Sequence, residues 1–175
     1  MKRAWIYFPI AILFLLSCGE GNQTEKKAAA KADQTVDSSL ITVPGVEKLA
    51  FTDSIQLTAN ENMRFDKELF RVKAGKKLKL IFTNTSKNLA TTMSHNVVIL
   101  KKGTDIADFA DVARTAKNED YAPASLDSLM IAHTKMVGGG NTAELEFIIP
   151  QSGVYDFICS FPGHWGTMQG KIVAE

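Results

Sequence analysis

Near the C-terminus an apolar run empties into a loop that carries sulfur and imidazole at short, fixed intervals. Gly153-Val154-Tyr155-Asp156-Phe157-Ile158 leads into Cys159-Ser160-Phe161-Pro162-Gly163-His164-Trp165-Gly166-Thr167-Met168, and Gly170-Lys171-Ile172-Val173 leads away again. The flanks read as two strands, so the segment predicts a hairpin whose long connection holds Cys-x4-His-x3-Met. Pro162-Gly163 punctuates the segment as a turn, so the three residues are clustered in a loop rather than spread along a strand or a helix. A thiol, an imidazole and a thioether are thereby delivered together to the end of a sheet. Each could be an ordinary core residue by itself, because Cys and Met are commonly buried. Their clustering in one loop favours a site.

Further strands are predicted at Ser54–Leu57, Leu69–Val72, Leu78–Phe82, His95–Leu100 and Thr142–Ile148, with apolar alternation clearest at Leu78/Leu80/Phe82 and Ala143/Leu145/Phe147. Gly75, Gly138-Gly139-Gly140 and Gly153 separate them. Many short strands with turn signals predict an all-β fold, a Greek-key sandwich or barrel. One helix interrupts the pattern over Asp105–Thr115, where Ile106, Phe109, Ala110 and Ala113 share a face. It is expected to form a flap between the strand after His95 and the strand near His133.

A second imidazole, His95, heads the apolar run Val97-Val98-Ile99-Leu100. His95, Cys159, His164 and Met168 form the ligand set of a mononuclear blue-copper site, trigonal with a weak axial thioether. Imidazole and sulfur together suit both Cu(I) and Cu(II). Here the residues resemble a family. Asn60-Glu61-Asn62-Met63-Arg64-Phe65-Asp66, Met93-Ser94-His95-Asn96, Ile131-Ala132-His133-Thr134-Lys135 and the Cys159–Met168 loop are similar to the corresponding stretches of azurins, blue-copper proteins of the cupredoxin class. The resemblance runs from about Leu49 to Glu175. It implies an azurin-like cupredoxin domain over residues 44–175, with His95, Cys159 and His164 as equatorial ligands and Met168 as the axial one. It also implies a second, weak axial contact from the carbonyl of Ser94, where azurins carry Gly. The azurin disulfide is absent, because Cys18 and Cys159 are the only cysteines. Trp165 stands where azurins lead one to expect a smaller residue.

Around the ligands, Asn96 is placed to tie the two ligand loops together through Ser160, or else serves as a plain turn residue. Backbone N–H groups near Phe161 are expected to donate to the Cys159 sulfur, a type of bond that tunes such centres. His164 is the expected electron port. Met93, Phe161, Pro162, Gly163 and Trp165 would form an apolar docking rim around it, with a core position as the alternative for Trp165. His133 is expected to be peripheral.

The N-terminus reads as a targeting segment. Met1-Lys2-Arg3 is basic, the apolar run from Trp5 to Leu16 is short for a bilayer span, and Leu15-Leu16-Ser17-Cys18 resembles a lipoprotein cleavage box. Residues 1–17 would be a signal peptide and Cys18 the lipidated residue; a plain membrane anchor is the alternative. Residues 18–43, polar and small, would be a flexible tether reaching on the order of 25–30 Å. That places the protein in the cell envelope of a Gram-negative bacterium, anchored by lipid in the periplasm. Cys159 is then the remaining thiol in an oxidising compartment, and metal ligation accounts for it.

Twenty Lys and Arg against nineteen Asp and Glu leave a net charge of +1, which gives no case for nucleic acid as a partner. The expected activity is single-electron shuttling between redox proteins such as c-type cytochromes, reductases or oxidases. A periplasmic copper carrier or buffer is the alternative, opposed by the scatter of Met63, Met93, Met130, Met136 and Met168. A self-contained copper enzyme would need a second copper with its own imidazoles, and the chain has three His in all.

Overall fold

A computed structural model describes residues 43–87 and 93–175. The signal peptide read over residues 1–17, Cys18, and the tether as far as residue 42 lie outside the described residues. Eight strands and one α-helix occur among those that are described: β1 (Ser54–Ala59), β2 (Leu69–Val72), β3 (Lys77–Asn84), β4 (Val98–Leu100), α1 (Ile106–Ala113), β5 (Met130–His133), β6 (Thr142–Ile148), β7 (Gly153–Ile158) and β8 (Gln169–Ala174).

The strands make two sheets. One has the order β1-β3-β6 and the other β2-β8-β7-β4-β5. β1 runs parallel to β3, and β2 parallel to β8; the other neighbours are antiparallel. The sheets face each other as an open sandwich, without closing into a barrel. The alternation seen in the sequence explains why. Leu78, Leu80 and Phe82 of β3 are buried while their neighbours are exposed or half-buried. They meet Ile55 and Leu57 of β1, Tyr155 and Phe157 of β7 and Ile172 of β8 in one apolar core. Phe65 and Phe70 contact the Phe157 ring at centroid distances of 5.5 and 5.8 Å. The β7–β8 pairing brings Gly170 opposite Phe157. A Cβ at Gly170 would run into the Phe157 ring and lie 2.6 Å from the Glu68 carbonyl, so this close approach admits only glycine.

β4 is buried on both faces: Val98, Ile99 and Leu100 are all inaccessible. Ile99 points into the main core, and Val98 and Leu100 point outward against Phe109, Ala113, Ala122 and Met130. This second core is supplied by the excursion between β4 and β5, which holds α1. Asp105 caps α1 by accepting from the Asp108 N–H at 2.9 Å. Phe109, Ala110 and Ala113 are its buried residues. The helix therefore covers the outer face of the five-stranded sheet, as the flap reading anticipates.

One strand is shorter than its sequence suggests. Regular pairing begins at Val98, not His95. His95 makes a two-bond bridge to Val137, and the Val97 N–H donates to the Thr134 hydroxyl. Side-chain partners take over the backbone there, and this irregular stretch is what carries a ligand candidate.

Candidate metal centre

β7 ends at Ile158 and β8 begins at Gln169, so the whole Cys159–Met168 loop caps one end of the five-stranded sheet. The loop is folded by its own backbone. The His164 N–H donates to the Phe161 carbonyl at 3.0 Å, closing a turn with Pro162 second and Gly163 third. Gly163 has φ 85°, the left-handed value that the third position of a type II turn requires. The Met168 N–H then donates to the His164 carbonyl at 2.9 Å, and the Cys159 N–H to the Met168 carbonyl at 3.0 Å. Cys159, His164 and Met168 are thus held by one short ring of backbone bonds.

His95 enters from the β4 side, through the bridge to Val137. Its Nδ1 lies 3.1 Å from His164 Nδ1 and 3.9 Å from Cys159 Sγ, and His164 Nδ1 lies 3.7 Å from that sulfur. The point equidistant from the three atoms is roughly 2.1 Å from each, inside the ~2.0–2.3 Å range of imidazole and thiolate ligation to a first-row metal. Among the described residues His95 Nε2 is the buried side-chain polar atom without a well-formed hydrogen bond. The Asn60 carbonyl nonetheless acts on that ring to favour its proton. A proton on Nε2 leaves Nδ1 free as a donor.

Burial sets the protonation. It drives the His95 pKa down to about 4, helped by the neighbouring His164 and opposed by Asn60, and it lowers that of His164. Both imidazoles are therefore neutral and able to ligate at neutral pH. Burial pushes the Cys159 thiol up to about 11, against the backbone N–H groups of Asn96 and Phe161, which favour the thiolate. A buried thiolate needs a cation, and a metal bound between these three atoms supplies it. His95, Cys159 and Met168 have no solvent exposure; His164 retains 4%.

Asn96 links the two ligand segments. Its Nδ2 donates to Ser160 Oγ at 2.8 Å, and its Oδ1 accepts from the Ser160 N–H at 2.9 Å. Met93 and Ser94, just before His95, are half-buried. The Met93 carbonyl accepts from Asn84 Nδ2 at 2.7 Å, and the same amide donates to the Val137 carbonyl at 3.0 Å. Phe161 is half-buried and lies over His164 at a centroid distance of 4.5 Å, while Pro162 and Gly163 are exposed. Trp165 is half-buried and packs with Ile106 and Leu126 against the second core, so its ring is shared between the surface and the flap. His133 is exposed, with Nδ1 3.2 Å from the Thr134 carbonyl, and is not among the three clustered residues.

Sequence reasoning missed several supports. Asn84 is fully buried at the end of β3, and Thr134 anchors Val97. Asp120 and Tyr121, from the flap, offer their carbonyls to Asn96 and Ser160. Met63 is exposed and accepts at its carbonyl from the Thr167 hydroxyl at 3.0 Å, which brings the β1–β2 connection to the ligand loop. An Asn closing a strand was the available signal for Asn84; the other four depend on distant chain segments meeting.

A two-sheet sandwich with a buried His-Cys-His set at one end defines a protein able to hold one mononuclear metal ion there. The sequence profile of copper-binding proteins, plastocyanin/azurin family, matches residues 52–175, and the chain belongs to that family. It is 35% identical over 122 residues to azurin of Alcaligenes faecalis, covering 67% of this chain and 94% of that protein. It is 34% identical over 117 residues to outer membrane protein H.8 of Neisseria meningitidis serogroup B, covering 65% of this chain and 63% of the relative. Reduced auracyanin from the photosynthetic bacterium Roseiflexus castenholzii superimposes with a TM-score of 0.62 at 34% identity, over 72% of this chain and 99% of that one. The chain is a blue-copper electron-transfer protein.

Proposed function

We propose that the chain is a lipid-tethered, single-electron shuttle of the periplasm. His95 Nδ1, His164 Nδ1 and Cys159 Sγ hold copper as equatorial ligands. The Met168 thioether and, more weakly, the Ser94 carbonyl would be the further donors to it. Copper, when bound, supplies a one-electron Cu(II)/Cu(I) couple. The observation that carries this reading is the triangle of three buried donor atoms, 3.1, 3.7 and 3.9 Å apart.

The residues do the rest. Burial keeps both imidazoles neutral, and the Asn96 and Phe161 N–H groups stabilise the thiolate. The Asn96–Ser160 bonds hold the two loops in one geometry before metal arrives. His164 is the port, because it alone of the four keeps contact with solvent. Met93, Phe161, Pro162, Gly163 and part of Trp165 form the rim on which a c-type cytochrome, reductase or oxidase docks. Cys18 carries the lipid, and residues 18–43 are the tether. Among the described residues no helix is long and apolar enough to cross a membrane. The name of the neisserial relative, an outer membrane protein, supports an envelope location.

The test is a titration with Cu(II) followed in the visible. One equivalent should give an intense thiolate-to-copper band, and a chain that binds Cu(II) without it sinks the assignment. Mass spectrometry of the N-terminal peptide from membranes reads the anchor separately: an acylated Cys18 is expected, and a free one refutes the tether.

A further inference from the structure

Asp120 and Tyr121 both have positive φ, 54° and 57°, without being glycine. Single residues visit this region; two in succession are unusual, and for a bulky aromatic it is a strained choice. An extended backbone sends successive carbonyls to opposite sides, whereas a helical backbone of either hand aims them the same way. Here both carbonyls reach one polar pair. That of Asp120 accepts from Asn96 Nδ2 at 2.8 Å, and that of Tyr121 accepts from Ser160 Oγ at 2.6 Å.

The side chains extend the contact. Asp120 Oδ1 accepts from the Met136 N–H at 3.0 Å, next to Val137, whose backbone bridges His95. The Tyr121 ring meets Phe161 edge-on at 5.1 Å, and Phe161 lies against His164. Two adjacent residues of the flap thus touch the His95 segment, the Cys159 segment and the residue stacked on His164. Neither supplies a ligand.

We propose that Asp120 and Tyr121 are positioning residues, whose left-handed backbone sets the relative placement of the two ligand-bearing segments. The inference rests on copper being held by His95, Cys159 and His164. Under it, backbone conformation at 121 matters more than side-chain volume. Tyr121 is buried, so loss of packing alone would make Tyr121→Gly worse than Tyr121→Val. Positioning predicts the reverse order, because glycine adopts positive φ freely and a β-branched residue does not.

The experiment compares Tyr121→Gly with Tyr121→Val, and Asp120→Gly with Asp120→Val, in the full chain. Two readouts are taken: Cu(II) affinity with the charge-transfer band, and the Asn96 side-chain amide resonances in metal-free protein. The Val variants should bind copper about tenfold more weakly than the Gly variants and show displaced Asn96 resonances. Where a Val variant does not fold, Ala replaces it in the same comparison. Affinities at which Val or Ala equals or exceeds Gly, with unmoved Asn96 resonances, overturn the proposal. A wild-type chain that gives no band refutes the copper assignment instead, and the metal-free resonances then still decide the positioning role.

Discussion

Between the sheets, Leu57, Leu80, Phe82, Phe157 and Ile172 are buried and apolar. At the end where β7 stops, His95, Asn96, Thr134, Ser160 and His164 are buried almost as completely and are polar. The first region is held by close packing through contacts that have no preferred direction. In the second, each polar group needs a partner at a set distance and angle, because an unpaired one in the interior costs about 1–3 kcal/mol. Asn96 alone makes three such bonds, to the Asp120 carbonyl and to both polar groups of Ser160. The apolar middle makes the molecule stable, and the directional end makes the donor triangle reproducible. Stability and site geometry should therefore be separable by mutation.

The largest effect should come from the triangle itself. Cys159→Ser removes the single free thiol of the described residues. The blue band should vanish entirely while the strand signal in circular dichroism persists; any surviving band would mean the ligand set is elsewhere. Next is the middle. Phe157→Ala opens a cavity against Phe65 and Phe70 and should cost about 3–5 kcal/mol in denaturant unfolding, with an unchanged band in the copper-loaded fraction that stays folded. A shifted band in that variant would break the separation.

A pH effect on metal-free protein should be of intermediate size. The unfolded chain protonates its histidines near 6.5. The folded protein resists until about 4 at His95, and to below the ordinary value at His164. Between those values the unfolded state binds more protons, so stability present above pH 6.5 is lost as pH falls toward 4. The loss should be on the order of 2 kcal/mol after solvent screening. Urea midpoints at pH 7 and pH 5 read it directly, and equal midpoints would show that the site end contributes nothing of the kind.

Ser160→Ala should cost less, about 1 kcal/mol, because it strips one hydrogen bond from the Tyr121 carbonyl and one from Asn96. Its larger signature should be a shifted reduction potential in voltammetry; an unmoved potential would reduce the tie to simple packing. Smallest in stability is Met93→Lys, at a half-buried residue of the proposed docking rim. Unfolding should change by under about 0.5 kcal/mol, yet electron self-exchange should slow severalfold, since docking must then desolvate a charge. Exchange at the wild-type rate would remove that face from the docking surface.

Much of this molecule was legible in its sequence for local reasons. The alternation at Leu78/Leu80/Phe82 marks the buried face of β3, and the i, i+3, i+4, i+7 set marks the buried face of α1, because a strand or helix repeats by its own geometry. Phe161-Pro162-Gly163-His164 announces its turn through residues that restrict or free φ. Other features were not legible. The pattern Val97–Leu100 suggested a strand starting at His95, but Thr134 and Val137 engage the backbone there first. For Trp165 the sequence left a rim and a core position open, and the residue is half-buried against a core built by the flap.

By itself the sequence offered the donor residue types, their spacing in the loop after β7 and an all-β fold read as a sandwich or a barrel; the loop spacing and the strand alternation are local properties of the chain. Tertiary structure alone decided which imidazole edges converge on the sulfur and what holds them there. Asn96 and Ser160 are 64 positions apart, and Asp120 and Tyr121 enter from a third segment in a conformation that nothing about a tyrosine suggests. Hydrogen bonds act over about 3 Å in space and are indifferent to separation along the chain, so such a clamp exists only once the strands have placed its parts side by side.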